Sequence, residues 1–498
     1  MVRDLLVSPW ALLVCALTLA CGDDTTTTSD SGSGATESSS DASSTTTTTG
    51  TDSDATTQGP SGSDTDSDSS TTEEPMSTGD PTSSSDPTTG DPTTEEPTTT
   101  TGDPTTDGLT DTDTDTETDT DTETDTGVEQ CPPDSQPKTF DYIWIANSSQ
   151  GTVSKINTMT GVEEGRYRTS ANPSQPSRTS VNQWGDVAVS NREPGSVTKI
   201  LALPEKCVDK NNNNQIETST GPNDVLPWGQ DECVVWNTPV PTTAYNMGPR
   251  PTAWEGVSQD PITCETPIPR LWIGYMGLDN QAHFLRLAGD TGAILDDVGV
   301  PEFQFAQAGY GPYGGAVNSA GDLFAIGLGA VSVVRVDAAT LQYEIIQPPP
   351  TALNYGMAVD QNGNLWTGSY EPTNNMWHYD DQTKQWTGLG PGGGTWILGV
   401  QVDQEGRVWG AGVTPCRLVE ADVETKTFTN TNIALPGCGQ PWGVSIDNEG
   451  YVWVVDKANQ AFKVDPDTYQ VELVVTGLVD PYTYSDMTGQ GLKLVLIE

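Results

Sequence analysis

The sequence predicts an all-β domain, a seven-bladed β-propeller of four-stranded antiparallel blades, carried behind a long disordered tether. Three observations predict it. A turn motif ending in tryptophan recurs at a nearly constant interval, a second turn signal follows it in each period, and the composition changes abruptly near residue 130.

The recurrent motif is clearest in Asp360-Gln-Asn-Gly363-Asn-Leu-Trp366, Asp403-Gln-Glu-Gly406-Arg-Val-Trp409 and Asp447-Asn-Glu-Gly450-Tyr-Val-Trp453. The tryptophans lie 43 and 44 residues apart, a propeller period. Weaker copies are Asn318-Ser-Ala-Gly321-Asp-Leu-Phe324 and Asn182-Gln-Trp-Gly185-Asp-Val-Ala188, and Trp144 and Trp272 mark two more that lack the turn. That makes seven. The second turn reads Asp337-Ala-Ala-Thr340, Asp380-Asp-Gln-Thr383, Asp422-Val-Glu-Thr425 and Asp465-Pro-Asp-Thr468, with Asn157-Thr-Met-Thr160 in the first copy. Two turns per period separate three strands, and a fourth follows. Val444, Ile446, Val452 and Val454 alternate with other residues, so each strand offers an apolar face to the next blade. Asp and Gly supply capping and positive φ, and tryptophan fills the space between sheets. Single blades cannot bury these faces, so they close into a ring.

The first copy begins at its aromatic strand, Tyr142 to Ala146, without a preceding inner strand. The carboxyl-terminal segment is expected to complete that blade, either through Tyr482 to Asp486 or through Leu492 to Ile497. An incomplete eighth blade is the alternative. The long intervals between Ala188 and Trp272 and between Trp272 and Phe324 require insertions.

Residues 1–20 read as a secretion signal: Arg3, then an apolar stretch from Leu5 to Leu19 that is short and interrupted by Pro9. Thr18-Leu19-Ala20-Cys21 resembles the lipobox of bacterial lipoproteins, which implies acylation of Cys21 and cleavage before it. Gly22 is not the aspartate that favours inner-membrane retention in that family, so the expected location is the outer membrane or cell surface. Residues 21–130 form the tether. From Gly22 to Gln130 there are 28 acidic residues, no Lys or Arg, and no Phe, Trp or Tyr. Such a segment buries too little apolar surface to offset chain entropy. A flexible-coil estimate gives an end-to-end distance of roughly 55 Å.

The propeller domain, 131–498, keeps 41 acidic residues against 20 basic ones, which excludes nucleic acid and anionic lipid as attractive partners. Membrane contact is expected through the lipid alone, and the domain is expected to be monomeric. The insertion at 204–240 carries Asp209, Asn211, Asn213, Gln215 and Glu217 at alternate positions, with Ile216 where a calcium loop packs inward. Calcium takes six to eight oxygens, and the run resembles the first nine positions of an EF-hand-type loop. Asn214 replaces the usual glycine, Thr220 stands where the bidentate glutamate belongs, and Asp224 is the candidate for the missing carboxylate. A polar surface loop is the competing reading. Six cysteines besides the signal-region pair favour disulfides in an exported protein, with fifteen possible pairings. The choice is Cys207 with Cys233, Cys416 with Cys438, and Cys131 with Cys264.

At the start of the inner strands stand Tyr313, Tyr355, Trp396 and Trp442, with Arg178 and Arg250 at the related points of earlier blades. These six could ring one channel mouth, where aromatic faces and guanidiniums suit a sugar or an anionic small ligand. Packing between blades is the competing role for each.

The string Pro-Trp-Gly-Val-Ser-Ile-Asp-Asn-Glu-Gly-Tyr-Val-Trp-Val, Pro441 to Val454, resembles the blade repeat of virginiamycin B (streptogramin) lyases and related NHL-type propellers. The resemblance implies the fold. In that family a histidine base and a magnesium ion held by acidic side chains open an ester-linked ring. The domain has two histidines, His283 and His378, and the repeat register puts both on third strands, away from the channel. No catalytic residue is therefore carried over. The expectation is a non-catalytic binding or interaction platform for a small molecule, glycan or envelope protein. The alternatives are a lyase-like or lactonase-like metal-dependent enzyme and a structural or adhesive envelope protein.

Overall fold

A computed structural model of the chain describes residue 131 and residues 140–242, 244–306 and 309–496. The signal at 1–20, the lipidation at Cys21 and the tether at 21–130 lie outside the described residues. Within them the chain forms seven antiparallel sheets. Blade 1 holds β1–β3 (Tyr142–Asn147, Thr152–Asn157, Glu163–Arg168) and blade 2 holds β4–β7 (Pro176–Val181, Val187–Asn191, Ser196–Ile200, Val234–Pro239). Blade 3 holds β8–β11 (Thr252–Trp254, Arg270–Met276, Ala282–Ala288, Ile294–Val300). Blade 4 holds β12–β15 (Pro312–Val317, Leu323–Gly327, Val333–Val336, Tyr343–Ile346) and blade 5 holds β16–β19 (Asn354–Val359, Leu365–Ser369, Met376–Asp380, Gln385–Gly388). Blade 6 holds β20–β23 (Ile397–Val402, Arg407–Gly412, Arg417–Asp422, Thr427–Ile433) and blade 7 holds β24–β27 (Pro441–Ile446, Val452–Asp456, Gln460–Val464, Val471–Thr476). The architecture is a seven-bladed β-propeller.

Blade 1 has three strands of its own and takes its inner edge from the far end of the chain. Asn147 bridges Pro481, the Tyr482 amide donates to the Ala146 carbonyl at 3.2 Å, and the Trp144 amide donates to the Met487 carbonyl at 2.9 Å. Of the two candidate segments, the one around Tyr482 closes the ring. Leu492 instead lies in the one-turn helix α1, Gln490–Val495, which packs against the channel-lining strands β16 and β24. No eighth sheet exists among the described residues.

The motif Asp-x-x-Gly-x-x-Trp has a direct physical basis. In blade 7 one oxygen of Asp447 accepts the Glu449 and Tyr451 amides, each at 3.0 Å, and the other accepts the Trp453 indole N–H at 2.9 Å. Asp360 and Asp403 do the same for Trp366 and Trp409. Gly450 has φ +89°, a left-handed turn position that favours glycine. In the two copies that lack the turn, the indole N–H finds another acceptor. Trp144 donates to the Gly185 carbonyl and Trp272 to the Gly321 carbonyl, both at 3.1 Å, each being the turn glycine of the next blade. All five tryptophans are fully buried, so each indole N–H needs such a partner.

A second set of contacts links neighbouring blades. Opposite each landmark residue, the third strand carries a polar side chain: Lys155, Lys199, Arg286, Arg335, His378, Glu420 and Lys463. Four reach a carbonyl on the following blade: Lys155 to Ala202 at 2.8 Å, Lys199 to Gly289 at 3.0 Å, Arg286 to Ala338 at 2.6 Å and Lys463 to Thr158 at 2.9 Å. Arg335 reaches the Asp381 carboxylate at 2.6 Å, and Glu420 accepts from the Tyr469 hydroxyl at 2.6 Å. Only His378 lacks such a link among the described residues. The cysteines pair as Cys131–Cys264, Cys207–Cys233 and Cys416–Cys438.

Candidate functional site

The channel mouth is built by one device used repeatedly. Near the start of β4, β12, β16, β20 and β24 the pairing register slips, so each strand carries a bulge at or beside Ser177, Tyr313, Tyr355, Leu398 and Trp442 respectively. A bulge breaks the alternation of the strand and re-aims a side chain. Arg250 occupies the matching place before β8, and Tyr482 does so in blade 1, where Pro481-Tyr482 repeats the pattern of Pro312-Tyr313 and Pro441-Trp442. The residue after the bulge is glycine in blades 4 to 7 because neighbouring inner strands touch there. A Cβ on Gly399 would lie 2.6 Å from the Trp442 carbonyl, and one on Gly356 or Gly443 would collide with the next strand.

The phenols interlock. Tyr355 and Tyr482 hydroxyls are 2.7 Å apart, Tyr313 is 3.0 Å from Tyr482 and 3.1 Å from Tyr355, and the Trp442 indole donates to Tyr355 at 3.0 Å. Three guanidiniums join them. Arg192 lies 4.6 Å from the Tyr482 ring centre and donates to the Gln175 carbonyl and the Ser148 hydroxyl. Arg250 holds its own loop, donating to the carbonyls of Tyr245, Asn246 and Gly248 at 3.1–3.2 Å. Arg178, completely buried, stacks 3.0 Å from the Tyr484 ring centre and donates one bond, to the Tyr313 carbonyl at 2.8 Å. Burial pushes the Tyr484 phenol well above its ordinary value, so that ring stays neutral beside the guanidinium.

Of the six mouth residues expected from sequence, five contribute to this assembly. Trp396 precedes β20, is half-buried, and stands two residues before the bulge, so Leu398 takes the ring position. Leu398, Ser177, Tyr482, Tyr484 and Arg192 were not foreseen. The Pro-aromatic pair at 481–482 was a usable signal. Beneath the aromatic layer lies a small cavity, about 40 Å³, lined by Ser180, Thr252, Trp254, Gln401 and Asp486. Its far side is Leu492 of α1, and Asp486 accepts the Gly489 and Leu492 amides at 2.8 Å each.

The 209–217 loop lies between β6 and β7. Both oxygens of Asp209 accept amides, from Asn213 and Asn214, while Asn213 accepts from Gln215. Asn214 has φ +62°, the left-handed geometry expected of a residue standing in for glycine. The Asn211 and Asn213 amide groups donate to Glu217. Asp224 is not brought to this loop: its carboxylate accepts from Thr220 at 2.7 Å. The acids that meet the loop are Glu232, which accepts the Lys210 and Glu217 amides, and Asp231, which organises Thr218 and Ser219. Among the described residues no three His, Cys, Asp or Glu side chains converge as a metal site.

Both histidines lie on third strands, His283 on β10 and His378 on β18. His283 stacks on Tyr275 and faces Asp297 at 2.8 Å and Asp279 at 3.2 Å; burial opposes its charge, but these two carboxylates raise its pKa. His378 is buried beside Trp366 with no partner for Nδ1, and burial pushes its pKa down to about 4 from an ordinary 6.5. The unfolded chain therefore binds the proton more readily. This contribution to stability is intact above pH 6.5 and is lost as the pH falls towards 4, amounting to at most about 3 kcal/mol. A His378→Gln variant should show a flatter stability profile between pH 6.5 and 4 in urea titrations; an unchanged profile would refute the assignment.

No protein-family model matches the chain, and no curated protein does. Solved structures similar to it include a streptogramin B lyase, 12% identical with a TM-score of 0.43 over 63% of this chain and 88% of that one. A catalytically inactive virginiamycin B lyase from Staphylococcus aureus with quinupristin is 12% identical, with a TM-score of 0.45 over 64% and 94%. A Lactobacillus plantarum protein is 13% identical, with a TM-score of 0.48 over 69% and 98%. At these identities only the fold is comparable.

Proposed function

We propose that the propeller is a non-catalytic binding platform, held outside the cytoplasm by a lipid on Cys21 and the acidic tether, which takes a small molecule or glycan at the aromatic mouth. The observation that supports it is the chemistry gathered there. Tyr313, Tyr355, Trp442 and Tyr482, all buried, bring rings and hydroxyls together there, Arg178, Arg192 and Arg250 bring charge, and both histidines stand on third strands. Rings and hydrogen-bond donors orient a ligand, whereas a lyase-like reaction needs a base within reach of the bound substrate.

The test screens the full chain against glycans and small molecules by calorimetry, with each ligand analysed afterwards by mass spectrometry. Recovery of unaltered ligand, with affinity falling at least about tenfold in Trp442→Ala, is the expected result. Conversion of an ester or lactone dependent on a divalent cation would establish the lyase-like alternative instead.

We also propose calcium at the 209–217 loop, through Asp209, Asn211, Asn213, Gln215 and Glu217. Binding would turn the two asparagine carbonyls, in place of their amide groups, towards the Glu217 side. Chelation with EGTA is then expected to lower the melting temperature by several degrees, and an unchanged value would remove calcium from the account.

A further inference from the structure

We propose that the mouth selects ligands bearing a carboxylate or phosphate group, and that this group is bound by Arg178 with help from Ser177 and Arg250. The inference rests on the binding reading above and adds the chemical class of the ligand.

Four buried atoms at neighbouring positions of the ring have no hydrogen-bond partner: Ser177 Oγ, Arg178 Nε, Arg178 Nη1 and Arg250 Nε. A guanidinium can only donate, and a hydroxyl can do so. A buried donor without an acceptor is costly, and a buried charge without a counter-charge more so. Arg178 has one acceptor, a backbone carbonyl, and no carboxylate pairs with Arg178, Arg192 or Arg250 among the described residues. Five arginines elsewhere in the domain, Arg166, Arg270, Arg286, Arg335 and Arg407, each pair with an acid, while Arg417 donates to the Gly393 and Thr431 carbonyls and, like Arg178, keeps a buried Nε without an acceptor.

The contrast is sharpened by the charge of the domain, with 41 acidic residues against 20 basic ones. In a chain so rich in carboxylates, three arginines gathered at one place, none of them paired with an acid among the described residues, mark that place as one where negative charge is supplied from outside. The Tyr313 ring connects two of them, its centre lying 5.1 Å from the Arg178 guanidinium carbon and 5.3 Å from that of Arg250. Cation–π contacts with Tyr313 and Tyr484 hold the guanidiniums in place but leave Arg178 Nε and Nη1 and Arg250 Nε without acceptors. An oxyanion presents several acceptors in the geometry a guanidinium fork matches.

The experiment uses the full chain and three probes at matched ionic strength: inorganic phosphate, acetate with citrate, and chloride as the reference. Phosphate or the carboxylates are expected to raise the melting temperature by several degrees in a saturable way, and calorimetry should return a stoichiometry of one. Which of the two acts identifies the group carried by the natural ligand. Arg178→Met should abolish the effect. Should that variant fail to fold, Ser177→Ala, a smaller change, should weaken the affinity several-fold while keeping the native circular dichroism. Absence of any anion effect in the unaltered chain, or its survival in Arg178→Met, would overturn the inference. A neutral glycan that binds and is lost in Trp442→Ala, with no anion effect, would overturn it while leaving the binding platform standing.

Discussion

A chain ending at Leu478 is expected to lose its cooperative unfolding transition altogether. The missing segment supplies the inner edge of blade 1, where Asp480, Tyr482 and Met487 exchange backbone hydrogen bonds with Ser148, Ala146 and Trp144. It also removes Tyr482, Tyr484, Met487, Leu492, Leu494 and Val495, all buried. At about 1.5–3 kcal/mol for each buried apolar side chain, the loss is on the order of 10 kcal/mol. That matches the whole stability of an ordinary domain, about 5–15 kcal/mol. The truncation further exposes the unpaired edge of β1, a template for aggregation. Thermal melts followed by circular dichroism, with limited proteolysis, test this. A truncated chain melting within a few degrees of the full one would show that the ring does not depend on this closure.

The second large effect is expected at Asp447. Replacing it with alanine removes the acceptor of two turn amides and of the Trp453 indole, and it strips Lys463 of one of its two carboxylates, at 3.1 Å, leaving Glu449 at 2.9 Å. The buried Trp453 indole is left without an acceptor, at about 1–3 kcal/mol, and the two turn amides lose theirs, so the total loss is on the order of 3 kcal/mol. Lys463 is also the residue that links blade 7 to the Thr158 carbonyl of blade 1, so the damage falls on the closing seam. Asp465 provides the control. It caps the second turn of the same blade, accepting the Asp467 and Thr468 amides near the surface, and Asp465→Ala should cost clearly less. Equal losses for the two aspartates in urea denaturation would contradict the role given to Asp447.

Why some of this was legible in the sequence follows from the range of the interactions. The Asp-x-x-Gly-x-x-Trp motif is visible because the carboxylate and the indole it binds are six residues apart and on one hairpin. Trp144 and Trp272 kept their aromatic without the turn because a carbonyl of the next blade serves instead. The inter-blade links were not legible. Lys155 and Ala202, or Lys463 and Thr158, meet only once the register and the ring are known. The mouth falls between these cases. Tyr313, Tyr355 and Trp442 were found from their place before a glycine, yet the bulge displaces the true ring position from Trp396 to Leu398. Asp224, near the ion loop in sequence, is turned to Thr220 by the short bridge between Gly221 and Asp224.

The Cys131–Cys264 disulfide joins two points 133 residues apart in the chain, the second of them in the connection between β8 and β9 of blade 3. Its consequence is mechanical. Any pull on the chain from the amino-terminal side of Cys131 is transmitted through a covalent bond to blade 3 as well as to β1. Blade 1, closed by hydrogen bonds between distant parts of the chain, is thus not the sole bearer of such a load, because sulfur shares it with blade 3.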